Sequence, residues 1–377
     1  MPRPTTWSSN LSIILLLLLI TSVVPAQRNE ASVRIIVFTP TTENNTYWPD
    51  VYSIMEAAAH DLGVELLRFE FEAEDRFAKT TEGVQILRST SDIDGAIFSV
   101  AFGQAKPLLQ ETERQGIPVL LQGPLFESEI AELGMEPRAR YKSWIGLFKQ
   151  NEYEKGYKLG RLLLREAADR NLRNREGRIQ VVGLGGDPSW KGSEERADGL
   201  REAVTDADAA TLSQIVPTDW TVGEARRLTE GLLARYPSAT VVWSASDQLA
   251  IGASEALRET GRTIGGDMVV GGLDLSTAGL RQVLDGSMTA TVSSWLLSYA
   301  EVLVYLYDYL HGFDFASERG VEIVFDVHSA TSGNARTFLE IYSSISEVEF
   351  EQFSKAHNPN LDRYDFSVEA FQSAIAE

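Results

Sequence analysis

Amides, carboxylates, one arginine and several aromatic rings recur just after short apolar runs of the sequence. Asn44-Asn45-Thr46-Tyr47-Trp48 follows the first such run, Ala101-Phe102-Gly103-Gln104 the third, and Gln122-Gly123-Pro124 the fourth. Further on come Asp187-Pro188-Ser189-Trp190 with Arg196 close behind, then Ser246-Asp247, then Asp274. Amide, carboxylate and guanidinium groups match the donor–acceptor pairs of vicinal hydroxyls, and Trp, Tyr and Phe faces stack on the apolar C–H face of a sugar. The candidate ligand contacts are Asn45, Tyr47, Trp48, Phe102, Gln122, Trp190, Arg196, Ser246, Asp247 and Asp274. Asp247 reads equally as a helix cap, the usual role of an Asp before an apolar helical run. Arg196 and Asp274 also admit two readings. As ligand contacts, they could be removed with the empty fold nearly as stable; as an ion pair with each other or with neighbours, they could not.

Bond-making chemistry finds little support. The sequence has no G-x-x-x-x-G-K-[ST], no G-x-S-x-G and no H-E-x-x-H. In Gly183-Leu184-Gly185-Gly186 the third glycine of a dinucleotide fingerprint would fall at Pro188. Glu194-Glu195 and Asp206/Asp208 read as solvated helix faces rather than an acid–base pair. Cysteine is absent, which removes disulfides, thiol nucleophiles and Cys metal sites. The four histidines, His60, His311, His328 and His357, show no i,i+4 spacing for a metal. Neither a metal, a cofactor nor an enzymatic activity is expected. The formal charge of −20, from 34 basic and 54 acidic residues, disfavours nucleic acid and anionic lipid as partners.

The elements that must carry these residues alternate. Val33–Phe38, Val64–Phe71, Ala96–Val100 and Pro118–Leu121 read as strands, with helices at Trp48–Leu62, Ala78–Arg88 and Ala105–Arg114. After a long helix over Glu152–Ala168 a second series begins. Its strands are Ile179–Gly183, Leu212–Val216, Thr240–Trp243, Met268–Gly271 and Thr289–Val292. Helices lie around Ser193–Val204, Gly223–Ala234 and Gln248–Thr260, with Ser193, Thr221 and Asp247 as caps. Near-continuous apolar strands alternating with helices indicate two parallel sheets covered on both faces, which bind ligands beyond the strand carboxyl ends. Chain length, 377 residues, fits two such units.

The N-terminus carries a targeting pattern. Residues 1–26 hold no acidic residue, and Leu11–Ile20 is apolar except for Ser12. Val24-Pro25-Ala26 then supplies a small-residue cleavage site, so export with cleavage after Ala26 is expected. Ten residues fall short of the roughly 20 that span a bilayer.

These residues resemble the type 1 periplasmic substrate-binding proteins, the ribose- and galactose-binding group related to the ligand domain of the lactose repressor. Asn44–Trp48 is similar to the family's Asn-Asn-Pro-Phe-Phe segment, which implies ligand contact for Asn45, Tyr47 and Trp48. Ser193–Leu200 resembles its S-x-x-R-x-x-G-[FWL] helix start, with Arg196 as the sugar-binding arginine. Ser244–Ala253 resembles A-x-N-D-x-x-A-x-G-A with Ser246 in place of Asn, and Val269–Asp274 resembles V-x-G-x-D. Leu280, Gly286, Thr289 and Thr291-Val292 resemble the stretch that follows, though Ser293-Ser294 stands where a Gln is common. Tyr47-Trp48, Leu121-Gln122 and Asp362–Ser367 are also similar to the LuxP-like autoinducer-binding branch. A second ligand arginine of that branch would fall near Ser294, its Asn at Gly123 and its cleft Trp at Leu273.

The resemblance implies a periplasmic α/β protein of two Rossmann-like lobes with parallel sheets, joined by a three-strand hinge. The first lobe would be residues 33–144 plus 295–325, the second 145–294 plus 326–345, and 346–377 a tail packed along the surface. The chain would cross between lobes near Lys142–Ile145, Ser294–Trp295 and Phe325–Val327. It implies a monomer that captures a small polar ligand, a sugar first, and presents it to an ABC-type importer. The alternative is a ligand-sensing subunit for a membrane receptor such as a sensor kinase.

Overall fold

The computed structural model describes residues 32–40, 43–70 and 76–376, so the expected export signal lies outside the described residues. Twelve strands are assigned: β1 (Val33–Thr39), β2 (Val64–Glu70), β3 (Gly95–Ser99), β4 (Val119–Gln122), β5 (Trp144–Lys149), β6 (Ile179–Leu184), β7 (Ala210–Val216), β8 (Val241–Ser244), β9 (Val269–Leu273), β10 (Ala290–Ser293), β11 (Glu322–Val324) and β12 (His328–Ala330). The helices between them are α1 (Trp48–Asp61), α2 (Arg76–Ser89), α3 (Ala105–Gln115), α4 (Glu127–Leu133), α5 (Glu152–Asp169), α6 (Lys191–Thr205), α7 (Val222–Arg235), α8 (Asp247–Glu259) and α9 (Thr277–Asp285). Beyond β10 follow α10 (Ser298–Leu310), α11 (Ala316–Arg319), α12 (Ala335–Ser343) and α13 (Val368–Ala376).

The strands form two six-stranded sheets, one per lobe. The first has the order β11-β5-β4-β3-β1-β2, all parallel. The second runs β12-β10-β9-β8-β6-β7, parallel except for β12, which pairs antiparallel with β10. Ile35–Phe38, Val119–Gln122 and Val269–Leu273 are buried throughout, as strands covered on both faces must be. A core under α2 and α3 covers one face of the first sheet. A larger continuous core runs from α1 and α10 on the opposite face into the second lobe.

The first crossing between lobes falls later in the chain than Lys142–Ile145. Trp144–Lys149 is a strand of the first sheet, because Trp144, Ile145, Leu147 and Phe148 are apolar and fully buried. The chain leaves that sheet at Gln150-Asn151, where Asn151 takes φ 47° and its side chain accepts from Glu154 N. The second crossing follows β10 and the third lies between β11 and β12. Ser294 joins all three: its Oγ lies 3.0 Å from Gln150 O and 3.5 Å from Phe325 O.

Two local expectations are also corrected. Ser246, not Asp247, caps α8 by accepting from Leu249 N, and Ser193 lies inside α6, whose cap position is Trp190. The segment beyond 345 is exposed or half-buried over most of its length but is anchored inward by a few side chains. Phe350, Phe353 and Phe371 are buried, with Phe371 edge-on to Trp295 at 5.2 Å between ring centres. Apolar rings in this number reach lower free energy inside than in water. Thr221 caps α7 as its sequence position predicts. Among the described residues, no helix is long and apolar enough to cross a membrane.

Candidate functional site

The carboxyl ends of strands from both sheets face one cavity of about 600 Å³. That lies within the roughly 300–1,000 Å³ usual for small-molecule sites. Eight of the ten residues expected to contact a ligand line it: Asn45, Tyr47, Trp48, Gln122, Trp190, Arg196, Ser246 and Asp274. Asp247 and Phe102 do not. Asp247 is fully buried beneath the wall, where Oδ2 accepts from Ser276 N and Oγ at the start of α9. A Cβ on Gly279 would lie 2.1 Å from that carboxylate, so glycine there makes room for it. Phe102 borders a separate, smaller hollow, edge-on to Phe126.

In the first lobe, the β1–α1 connection presents the aromatic group. Asn45 Oδ1 accepts from Tyr47 N at 2.8 Å and Trp48 N at 3.0 Å, which fixes the start of α1. Tyr47 and Trp48 pack edge-on to each other and to Tyr299 of α10. Gln122 at the end of β4 accepts from Ser99 Oγ and donates to Tyr299 OH. Burial pushes the Tyr47 and Tyr299 hydroxyls well above the ordinary tyrosine range, so both stay protonated.

In the second lobe Arg196 organises the wall. Its Nε lies 2.6 Å from Glu152 Oε2, Nη1 donates to Ala245 O, and Nη1 sits 3.6 Å from Asp274 Oδ1. The guanidinium carbon is 4.9 Å from the Trp190 ring centre and 6.0 Å from that of Trp220, both within cation–π range. Lys155, fully buried, contacts Glu152 Oε1 at 3.1 Å and Gln150 Oε1 at 2.7 Å. Two anions and two cations thus share a buried cluster. Burial opposes the Glu152 charge, yet Arg196 and Lys155 hold its carboxyl below the usual range. Burial draws Lys155 down to about 8.

Burial also acts on the carboxylates behind the wall. It pushes Asp274 up to about 6 against the pull of Arg196, and Asp247 up to about 8 with the Asp274 charge adding to it. Asp274 takes φ 135° and Trp220 takes φ 70°. Such backbone costs on the order of 1–3 kcal/mol per residue and concentrates at functional sites.

Gln150 donates to Tyr47 OH at 3.1 Å and accepts from Lys155. A continuous polar chain therefore runs from Ser99 and Gln122 through Tyr299, Tyr47, Gln150, Lys155 and Glu152 to Arg196 and Asp274. It passes along the first crossing from one lobe to the other. Gln150, Glu152, Lys155, Trp220 and Tyr299 are the residues that sequence reasoning missed. Gln150 and Glu152 follow β5, a strand read only as a boundary, and Trp220 follows β7 by the same strand-end logic. Tyr299 lies in an apolar helix and carries no such signal. Among the described residues, no cluster of His, Asp and Glu is arranged to hold a metal.

Two open α/β lobes enclosing a polar, aromatic-walled cavity at their strand ends define a cleft-type ligand-binding protein. The chain belongs to the periplasmic binding protein family, whose domain profile matches residues 36–311. It is 28% identical over 114 residues to the ribose import binding protein RbsB of Salmonella typhimurium, covering 30% of this chain and 37% of that protein. It is 32% identical over 100 residues to the D-allose-binding periplasmic protein of Escherichia coli, covering 26% and 32%. These matches span about a third of the length of those relatives. A periplasmic sugar-binding protein from Pseudomonas fluorescens superposes with a TM-score of 0.77 at 25% identity, covering 90% of this chain and 99% of that one. The fructose-binding periplasmic domain of a hybrid two-component system superposes with a TM-score of 0.66 at 21% identity, covering 84% and 96%.

Proposed function

We propose that the protein is a periplasmic receptor for a sugar-like polyol, which it holds between its lobes and delivers to an ABC-type importer. The observation that carries this reading is the cavity wall itself. Both lobes contribute to it: Asn45, Tyr47 and Trp48 from one, Trp190, Arg196, Ser246 and Asp274 from the other. Arg196 keeps Nη2 without a protein partner among the described residues, and its charge is already balanced by Glu152 and Asp274. It is equipped to donate to a neutral hydroxyl. The ring faces of Trp48, Trp190 and Trp220 supply stacking surfaces for C–H groups. The names of the ribose, allose and sugar-binding relatives point the same way. A ligand touching both lobes favours the arrangement in which all its contacts are made, and a membrane partner distinguishes that arrangement from the open one.

The test is a thermal-shift screen of pentoses, hexoses, polyols and inositols, followed by calorimetry on the hits. A true ligand at 100 times its dissociation constant adds about 2.7 kcal/mol of stability. No shift from any neutral polyol, with a shift from another compound class, overturns the reading.

A further inference from the structure

Four hydrogen bonds cross between the lobes outside the Arg196 cluster and the aromatic group of the cavity wall. Gln248, at the start of α8 in the second lobe, donates from Nε2 to Asn44 O at 2.7 Å and accepts at Oε1 from Thr46 N at 2.9 Å. Its amide thereby pairs with two backbone groups of the β1–α1 turn of the first lobe. On the same rim, Asp50 of α1 accepts from Thr277 N of α9 at 2.7 Å. Thr277 N is a first-turn amide that the Ser276 cap leaves unpaired, since Ser276 Oγ accepts from Gly279 N instead. A carboxylate at a helix N-terminus is favoured further by the helix dipole. A further tie runs from Phe102 N, which donates to Ser189 O at 3.3 Å. The lobes are therefore tied at three places.

We propose that Gln248 and Asp50 form a ligand-independent latch, so that the chain populates the closed arrangement before any ligand arrives. This rests on the reading that the lobes open and close. The latch acts on binding through the turn it holds: Asn44 and Thr46 flank Asn45, whose side chain fixes Tyr47 and Trp48. Gln248 and Asp50 are thus positioning residues. Gln248 borders the cavity, but both polar atoms of its amide are engaged by the turn. Apparent affinity scales with the fraction of molecules already competent to bind, so a latch that raises this fraction tightens binding.

The chain has no cysteine, so Glu132→Cys and Arg227→Cys label one exposed surface site on each lobe. Pulsed electron–electron resonance on the ligand-free full chain then reads the distance between the lobes. The reference chain is expected to show a population at the closed distance of this structure. Gln248→Ala with Asp50→Ala should lower the closed-to-open ratio at least about tenfold, a change of 1.4 kcal/mol, with the melting temperature within a few degrees. Asp50→Asn, which keeps an acceptor for Thr277, should move the ratio back toward the reference. Gln248→Glu, which keeps the acceptor for Thr46 N but sets a carboxylate oxygen against Asn44 O, should shift the ratio by itself and serves should the double variant fail to fold. Two results overturn the latch: no closed population in the reference chain, or the same distribution in reference and variants. Neither depends on which compound binds, so failure of the sugar reading is read separately.

Discussion

Removing the Arg196 guanidinium would strand Glu152 and Asp274 in a buried site with only Lys155 to balance them. Breaking one partner of a buried ion cluster costs about 3–5 kcal/mol. Arg196→Ala is therefore expected to lower the ligand-free urea midpoint substantially, and an unchanged midpoint would show that the cluster adds nothing. Of the two readings of Arg196, the ion pairs with Glu152 and Asp274 favour the one in which its loss harms the empty fold, and the sequence did not mark Glu152 as a partner. Types and spacing exposed the groups at strand ends; which of them pair depends on how α5 and α6 meet, and no local pattern carries that. The buried acids give a pH signature. Asp247 and Asp274 keep their protons in the fold up to about 8 and about 6, whereas in the unfolded chain they release them near 3.9. Over that window the folded state binds more protons, so stability falls as pH rises. Glu152 has the opposite sign, its contribution being lost as pH falls below the ordinary Glu range. The ligand-free melting temperature is expected to drop between pH 5 and pH 8.5. Asp247→Asn keeps the acceptor for Ser276 and should flatten that slope; a slope unaltered in the variant would assign it to other groups.

At the scale of elements, α5 and α6 bring Glu152 and Arg196 together because their backbones touch. A Cβ on Gly156 would lie 2.0 Å from Arg196 O, and one on Gly199 would lie 2.1 Å from Tyr153 O. Neither contact can relax by turning a side chain, so the helices would have to separate. Gly156→Ala is expected to cost about 1–3 kcal/mol, as overpacking does, and to displace Arg196 from Glu152. Gly223→Ala in α7, where a Cβ meets nothing within 4 Å, should instead stabilise by about 0.4–1 kcal/mol. Equal effects from the two changes, read in urea unfolding, would remove the close approach as the cause. The alternation of strands and helices was legible because strands such as β1 and β9 are near-continuous apolar runs. The pairings beyond it were not. β5 was hidden by its position at an expected boundary, and β11 and β12 are three residues long, too short for any periodicity to register.

At the scale of the whole molecule, residues beyond 345 act as a strap over the crossings. Asp308 near the end of α10 is fully buried and receives four hydrogen bonds from that segment. Ser354 Oγ and Ala356 N donate to Oδ1 at 2.5 and 3.1 Å, and Lys355 N and Tyr364 OH donate to Oδ2 at 2.7 and 2.8 Å. Phe371 reaches on to Trp295, which begins the stretch leading into α10 after the second crossing. Phe350 N donates to Asp61 Oδ2 at the end of α1. The strap therefore fixes α10, whose Tyr299 packs against Tyr47 and Trp48, and α1, at whose start Tyr47 and Trp48 line the cavity. Asp308→Ala would leave four donors without their acceptor. Since each orphaned buried donor costs about 1–3 kcal/mol, and water reaches some of them once the segment loosens, a loss of about 3–5 kcal/mol is expected. Tyr364→Phe removes one donor and leaves three, and should cost only about 1–2 kcal/mol. Amide hydrogen exchange separates a local effect from a global one. The amides of Lys355 and Ala356 should be protected in the native chain, exchange quickly in Asp308→Ala, and stay protected in Tyr364→Phe. Protection retained in Asp308→Ala would mean that the aromatic packing of Phe350, Phe353 and Phe371 holds the strap without the carboxylate.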